Sequence, residues 1–213
     1  MSSPNRALVV VAVQKDYFDG PLEIQYPPRA ESLANVVQAI EHATAGDVPV
    51  VVVQHEYPQD APVFAAGSAG YAVHEDVEAV LKPDVKRVRK HYASVFADTD
   101  LADWLTSKGV DTVTLAGYMT NNCDLASAAH AEALGLTVEV LSDATGAVSL
   151  ANEAGHVSGE ELHTTLMVLL QSNFAAVATT AEWTAAVASR KALPKSNLVA
   201  SALAGRSASA TTV

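Results

Sequence analysis

Apolar runs with the length of buried strands alternate with segments of helical periodicity along most of the chain. Most of these runs are continuous and β-branched, which is typical of strands that are covered on both faces. The strand-like runs lie at 7–13, 48–55, 86–91, 111–118, 136–144 and 173–180. The helical segments lie at 30–46, 100–109, 121–135, 158–172 and 181–191. The alternation predicts an α/β fold, with a doubly wound, Rossmann-like, mainly parallel six-stranded sheet and helices on both faces.

The predicted elements form one domain over residues 1–191 and leave a Ser- and Ala-rich C-terminal extension, 192–213. Its composition predicts that this extension is weakly structured. Two other segments, 56–75 and 145–157, show no regular pattern, and we expect substrate specificity to be determined there. Ligands of open parallel sheets bind beyond the carboxyl ends of the strands, so candidate residues should follow the strands.

The chain is acidic, with 13 Lys and Arg residues, 24 Asp and Glu residues and a net charge of −11. This charge argues against a nucleic acid or an anionic membrane as a partner. No apolar run approaches the ~20 residues of a transmembrane helix, and the N-terminus lacks the pattern of a secretory signal. We therefore expect a cytoplasmic protein.

The single cysteine, Cys123, lies close to the start of the helix that follows the strand 111–118. The N-terminus of a helix carries a partial positive charge, which lowers the pKa of a thiol. The preceding turn, 117–122, can direct backbone N–H groups at an oxyanion. This position predicts a nucleophilic cysteine with a lowered pKa. The alternative is a small, buried hydrophobic residue.

A second candidate, Lys90, ends the polar strand-like run 86–91. If Val88 faces the core, Lys90 lies on the same side of the strand and at the rim of the sheet. A lysine there can stabilise a thiolate or an oxyanion. The alternative is a solvated lysine in a basic cluster. His55 also follows a strand but has no D-x-H or H-x-H neighbour, so we expect no metal site and no cofactor.

Three ordered segments together resemble the isochorismatase-like cysteine hydrolases. This superfamily includes nicotinamidases, N-carbamoylsarcosine amidase, streptothricin hydrolases and isochorismatase itself. Segment 90–105 resembles the lysine segment of the family, 117–144 its nucleophile segment, and 172–183 its last strand and helix. The turn GYMT at 117–120 is most similar to streptothricin-hydrolase-like members.

The resemblance implies that Cys123 is the nucleophile and that Lys90 lowers the pKa of its thiol. It also implies a cis peptide bond between Tyr118 and Met119. The N–H groups of Met119 and Cys123 would then form an oxyanion hole. Five loop residues are candidate walls of the substrate pocket, or else core or interface residues: Gln14, Tyr17, Phe18, Tyr57 and Phe64.

The first strand of the family is followed by a D-x-Q-x-D-F motif, and residues 12–18 of this chain read AVQKDYF. Gln14 and Asp16 match the motif, which places Ala12 at the position of the general-base aspartate. A methyl group cannot carry a proton, so the resemblance implies impaired hydrolysis. We do not expect Asp16 to substitute, because the family carries an aspartate there in addition to the general base.

Three explanations of Ala12 remain open. The favoured one is a deliberate Asp→Ala substitution. The others are a natural member with lost or changed activity, and a Cys–Lys pair that uses water as its proton carrier.

The resemblance predicts a cysteine-dependent hydrolase that cleaves a C–N bond of a small amide or ureide through a thioester. Cys123 argues against isochorismatase proper, and the absence of a D-x-H pair at His55 argues against the metal-containing nicotinamidases. The alternative is a catalytically inactive small-molecule-binding or interaction protein on the same fold. A redox-sensing cysteine is a third interpretation. The family and the apolar-rich segment 56–75 predict a homo-oligomer, either a dimer or a tetramer.

Overall fold

A six-stranded sheet, in which every neighbouring pair of strands is parallel, forms the centre of the molecule. The computed structural model describes residues 3–210. In chain order its strands are β1 (Arg6–Val11), β2 (Val50–His55), β3 (Lys86–Lys90), β4 (Thr112–Tyr118), β5 (Thr137–Gly146), β6 (Leu150–Asn152), β7 (Gly155–Val157) and β8 (Ala176–Ala178). The order across the sheet is β3-β2-β1-β4-β5-β8. The predicted α/β class is therefore confirmed, and the chain reverses direction across the sheet between β1 and β4.

Seven helices lie within the described residues, and several pack directly on the sheet. They are α1 (Arg29–Ala45), α2 (Glu75–Val80), α3 (Leu101–Ser107), α4 (Leu125–Ala133), α5 (Gly159–Ser172), α6 (Thr180–Ala188) and α7 (Leu198–Ala210). The starts of α5 and α6 are fixed by capping boxes, Ser158 with Glu161 and Thr179 with Glu182. Each box satisfies backbone N–H groups that would otherwise lack a partner.

The structure differs from the predicted elements in four places. The last strand of the sheet is shorter than 173–180. Helix α2 was not predicted and begins where segment 56–75 ends, and segment 145–157, which was expected to be irregular, contains the antiparallel β6–β7 hairpin. The C-terminal extension was expected to be weakly structured, and this was wrong for α7. Alanine and leucine have the highest helix propensities, which the composition argument ignored. Residues 211–213 of that extension lie outside the described part.

The two central strands, β1 and β4, are buried at every position, as expected for strands covered on both faces. Gly117 lies near the end of β4 with φ +119°. A Cβ atom on Gly117 would lie 2.1 Å from the carbonyl oxygen of Val11. Only glycine therefore permits this close approach of β1 and β4, which brings together the loops that follow them.

A buried ion pair lies toward the opposite, amino end of the sheet. Arg6 donates from Nε and Nη2 to the carboxylate of Glu139 at 2.8 to 3.1 Å. Thr114 and the indole of Trp183 donate to the same carboxylate at 2.9 and 3.1 Å. The buried charges therefore have several polar partners, as a stable buried pair requires.

Replacing Glu139 with leucine should destabilise the protein strongly, because it leaves the Arg6 charge buried without its partner. We expect a loss of about 3–5 kcal/mol in the free energy of unfolding, measured by urea denaturation. The double variant Arg6→Met/Glu139→Leu is the control and should lose less than Glu139→Leu alone. A loss below about 1 kcal/mol for Glu139→Leu, typical of exposed pairs, would contradict this account.

Candidate active site

The two candidate catalytic side chains meet at the carboxyl edge of the sheet. The Nζ atom of Lys90, at the end of β3, lies 3.0 Å from the Sγ atom of Cys123. Both side chains are completely buried. Cys123 lies in a π-helical turn, Thr120–Asp124, between β4 and α4, and not inside the α-helix as the sequence pattern indicated. The structure therefore brings together two residues that are 33 positions apart in the chain.

The ammonium group of Lys90 is surrounded by more hydrogen-bond acceptors than it has N–H bonds to donate. Its Nζ atom lies 2.9 Å from Nδ1 of His55, 3.0 Å from the carbonyl oxygen of Tyr92 and 3.1 Å from that of Ala93. With the sulfur of Cys123 this makes four acceptors, whereas an ammonium group has three N–H bonds. The pairing of β2 with β3 sets His55 directly beside Lys90. The lysine is therefore fixed against the sulfur from several sides.

The thiol of Cys123 is harder to ionise than its position near a helix start suggested. Burial raises the pKa of this thiol, while the charge and hydrogen bond of Lys90 act in the opposite direction. The neighbouring Asp124 raises the pKa further. The expectation of a lowered pKa was therefore wrong. Removing the thiol from solvent raises its pKa by more than the charge and hydrogen bond of Lys90 lower it. The resting sulfur carries a proton, and its activation requires a proton acceptor.

Two further groups contact the sulfur. The hydroxyl of Tyr17 forms a hydrogen bond to Cys123, and burial raises the pKa of Tyr17 so that this hydroxyl keeps its proton. The backbone N–H of Met119 is directed at the same sulfur. The peptide bond between Tyr118 and Met119 is cis. The N–H of Met119 thus lies beside the atom to which an acyl group would be attached.

His55 remains neutral in this environment. Burial, followed by the charge of Lys90, lowers the pKa of His55 to about 4. Because Lys90 donates to Nδ1, the ring carries its proton on Nε2, which is buried without a partner among the described residues. His55 therefore acts as an acceptor that orients the lysine.

Three of the candidate pocket residues pack around groups that contact Cys123 or Lys90. The ring of Tyr17 packs against Phe64 and Tyr118, with centroids 5.0 and 5.5 Å apart. Phe64 and Tyr57 both pack on His55, at 5.6 and 4.4 Å. Tyr57 is 37% exposed, whereas Phe64 and Tyr17 are buried. The three rings of Tyr17, Tyr57 and Phe64 form an aromatic wall beside His55 and Tyr118.

The other two candidates have structural roles. The side-chain amide of Gln14 donates to the carbonyl oxygens of His55 and Tyr71 and accepts the N–H of His55. Its hydrogen-bonding groups are thus occupied within the protein. Phe18 packs edge-on against Tyr118 at 5.7 Å. Neither residue offers a free polar group to a substrate.

The polar groups of Asp16 are also hydrogen-bonded within the protein. Its carboxylate accepts the backbone N–H of Phe64 at 2.6 Å, and its own N–H donates to the carbonyl of Gly70. Gly70 lies so close that a Cβ atom there would be 2.0 Å from the carboxylate. Asp16 and Gln14 together attach the segment 56–75 to the end of β1.

Ala12 lies at the first position after β1 and is completely buried. Its φ angle is +45°, in the left-handed region of backbone space. Aspartate and asparagine tolerate this region better than alanine does. The backbone at position 12 therefore suits aspartate or asparagine better than it suits alanine.

Sequence reasoning missed Asp124, the residue after Cys123. Its carboxyl group is completely buried, and burial raises its pKa to about 7. Thr145 donates a hydrogen bond to Oδ2, whereas Oδ1 has no partner among the described residues. An acidic residue beside the cysteine, followed by an alanine-rich helix, was the signal that could have identified it.

No group of three or more His, Cys, Asp or Glu side chains within residues 3–210 is arranged to hold a metal ion. In the same part of the chain, no helix combines the length and apolar character that crossing a membrane requires.

Comparison with known proteins defines the class to which this fold and site belong. A family model described as the isochorismatase domain matches residues 6–182. The chain therefore belongs to the isochorismatase family of hydrolases. A crystal structure of an isochorismatase-type protein from Burkholderia xenovorans LB400 is similar, with a TM-score of 0.95 and 45% sequence identity. The match covers 98% of this chain and 100% of that one.

Two curated relatives add detail. The secreted isochorismatase effector Isc1 of Verticillium dahliae is 31% identical over 145 residues, which is 68% of this chain and 74% of the effector. The maleamate amidohydrolase of Pseudomonas putida is 46% identical over 57 residues, or 27% of each chain.

Proposed function

We propose that this protein is a cysteine-dependent hydrolase that cleaves a C–N bond in a small amide or ureide. The observation that carries the proposal is the 3.0 Å contact between Lys90 Nζ and Cys123 Sγ in a family of hydrolases. The local similarity to an enzyme named for its action on an amide, maleamate amidohydrolase, supports the same bond type. The proposal includes no cofactor.

The surroundings of the sulfur suit a covalent mechanism. Once Cys123 loses its proton, Lys90 stabilises the thiolate, which attacks the carbonyl carbon of the substrate. The N–H groups of Met119 and Cys123 stabilise the developing oxyanion. Water carries the thiol proton to the nitrogen as the C–N bond breaks and the amine leaves. A second water then attacks the thioester carbonyl, the S–C bond breaks, and one proton of that water returns to the sulfur while the acid is released.

The proposed reaction has a direct chemical readout. A panel of small amides and ureides is incubated with the protein, the released amine is measured, and acid-quenched samples are analysed by mass spectrometry. The thioester should appear as an acyl adduct on the peptide that contains Cys123. Amine release without any adduct on that peptide would contradict the covalent mechanism.

Ala12 sets the expected rate of this reaction. We propose that hydrolysis is impaired because position 12 lacks the carboxyl that the family motif has there. The second candidate function, an inactive small-molecule-binding or interaction protein, is favoured by the same residue together with the raised pKa of the Cys123 thiol.

Replacing Ala12 with aspartate should raise kcat. Proton transfer by a positioned side chain contributes about 10²–10⁴-fold, which sets the upper limit of the gain. Substrate affinity should change little, because the aromatic wall is unchanged. The measurement is kcat and KM on every amide that binds, with Ala12→Asn as the matched control that fits the same backbone. If Ala12→Asp binds substrate but hydrolyses it no faster than the blank, Cys123→Ala, the binding-protein function replaces the proposed one.

Self-association remains a prediction for this chain. We propose a homo-oligomer, a dimer or tetramer, and the exposed apolar side chains of α7 support it. These are Leu198, Val199 and Leu203, each more than half exposed. Sedimentation at micromolar concentration tests the proposal, which a purely monomeric species would contradict.

A further inference from the structure

A serine on α4, four residues after the nucleophile, makes two hydrogen bonds with a single hydroxyl group. The Oγ atom of Ser127 donates to the carbonyl oxygen of Cys123 at 2.6 Å and accepts the backbone N–H of Val95 at 3.0 Å. Because a backbone N–H can only donate, the one hydroxyl proton goes to the Cys123 carbonyl. A bond from serine to the carbonyl four residues earlier is common in helices. The bond from Val95 is not local, since it joins residues 32 positions apart.

Val95 belongs to the segment that holds the catalytic lysine. This segment, 92–95, lies between β3 and α3 and contains neither a helix nor a strand. Its first two carbonyl oxygens, those of Tyr92 and Ala93, accept from Nζ of Lys90 at 3.0 and 3.1 Å. The position of these two acceptors therefore depends on what fixes the segment.

The hydrogen bonds form a closed path that begins and ends at the nucleophile. From the carbonyl of Cys123 the path runs through the hydroxyl of Ser127 to the N–H of Val95. It continues along the backbone to the carbonyl of Ala93, then to Nζ of Lys90 and back to the sulfur. Ser127 is completely buried, as are both members of the reactive pair. A shift of Val95 relative to α4 would therefore move an acceptor of Lys90 relative to the sulfur.

A second contact attaches the same segment to the next turn of α4. Oγ of Ser94 lies 3.0 Å from Nδ1 of His130, and the N–H of Phe96 donates to the same Oγ at 3.2 Å. This contact does not include the backbone of the cysteine. We therefore expect the segment to stay attached to α4 when Ser127 is replaced, but with Val95 free to move.

We propose that Ser127 is a positioning residue, which sets the place of Lys90 relative to the sulfur of Cys123. The proposal rests on the proposed hydrolysis, in which Lys90 stabilises the thiolate. Without the hydroxyl, the N–H of Val95 is buried without an acceptor, so the segment gains by shifting toward another one. The attraction between the ammonium group and the thiolate falls with their separation. A misplacement of about 1 Å can lower a catalytic rate by about 10²-fold.

The first test needs no substrate. Cys123 is the only thiol of the chain, so its alkylation by iodoacetamide across a pH series reports how readily its sulfur ionises. In Ser127→Ala the midpoint of this profile should rise by about one pH unit, which is a tenfold loss of thiolate at a given pH. Ser127→Thr keeps the hydroxyl and should keep the midpoint of the parent. An unchanged midpoint in Ser127→Ala would overturn the proposal.

Ser189→Ala is the matched control for the lost hydroxyl. Ser189 also donates to the carbonyl oxygen four residues earlier, that of Ala185, at 2.7 Å, but it does so at the end of α6. This variant should keep the midpoint of the parent. An equal rise in Ser189→Ala and Ser127→Ala would overturn the proposal, because the effect would then not depend on segment 92–95.

A double-mutant cycle separates positioning from a general effect on the fold. If Ser127 acts through Lys90, adding Ser127→Ala to Lys90→Met should leave the midpoint of Lys90→Met unchanged. A rise of the same size in both backgrounds would overturn the proposal. The comparison of Ser127→Ala with Ser127→Thr does not need the lysine variant to fold.

The kinetic test follows from the same geometry. In Ser127→Ala we expect kcat to fall by about 10-fold to 10²-fold with KM unchanged, because the aromatic wall is intact. A kcat equal to that of the parent would overturn the proposal. If no amide on the panel is hydrolysed, the proposed function fails, whereas the rise in the alkylation midpoint still supports the placement of Lys90 by Ser127.

Discussion

Replacing Cys123 with alanine should abolish amide hydrolysis, with a loss in kcat of about 10⁴-fold or more. Cys123 is the only thiol of the chain, and its sulfur contacts Lys90, Tyr17 and the N–H of Met119. The proposed thioester requires this sulfur. The measurement is amine release from the best substrate, together with the loss of the acyl adduct.

Cys123→Ser is the matched control for this variant. A serine hydroxyl fits the same space but is a far weaker nucleophile without an adjacent base, so this variant should be nearly as inactive as Cys123→Ala. Both variants should still bind substrate, because the aromatic wall of Tyr17 and Phe64 is intact. Turnover by Cys123→Ala at a rate near that of the parent would exclude covalent catalysis at this site.

Replacing Lys90 with methionine should lower kcat by about 10²–10³-fold, the usual effect of removing one electrostatic stabiliser. The sulfur then loses the positive charge that opposes the burial effect on its pKa. Alkylation of Cys123 by iodoacetamide should therefore require a higher pH. The variant also leaves His55 and the carbonyls of Tyr92 and Ala93 without a buried donor, which should cost about 1–3 kcal/mol of stability for each group left unsatisfied.

Lys86→Met provides the control for that substitution. Lys86 lies at the other end of the same strand and pairs with Asp100, away from the sulfur. It loses the same charge but should keep the kcat and the alkylation profile of the parent. If Lys90→Met and Lys86→Met have the same kcat, Lys90 has no part in catalysis.

The sequence predicted the sheet and the proximity of Lys90 to Cys123 because both depend on local patterns. Continuous apolar runs identify buried parallel strands, and parallel strands bring their carboxyl ends to one edge. The meeting of Lys90 with Cys123 follows from this rule once the strands are assigned. The resemblance to the family aligned residues 12–18 with the D-x-Q-x-D-F motif. This alignment is the basis of the expectation that Ala12 occupies the position of the general-base aspartate.

The features of the site that the sequence did not predict depend on contacts between residues that are far apart in the chain. The thiol pKa was misjudged because the sequence pattern around Cys123 does not reveal that its side chain is completely buried. His55 was considered only as a metal ligand, since its contact with Lys90 arises from the pairing of β2 with β3. Asp124 accepts a hydrogen bond from Thr145, 21 residues further along the chain. No short-range pattern reveals such contacts.

The attachment of the segment 56–75 has a practical consequence for enzyme redesign. Gln14 and Asp16 both hold this segment, and both belong to the short loop after β1. The lysine and the cysteine are fixed separately, by β3 and by the turn after β4. We therefore expect that a replacement loop that keeps a carbonyl for Gln14 and an N–H for Asp16 can be transplanted as a cassette, which would exchange Tyr57 and Phe64 while Lys90 and Cys123 stay in place.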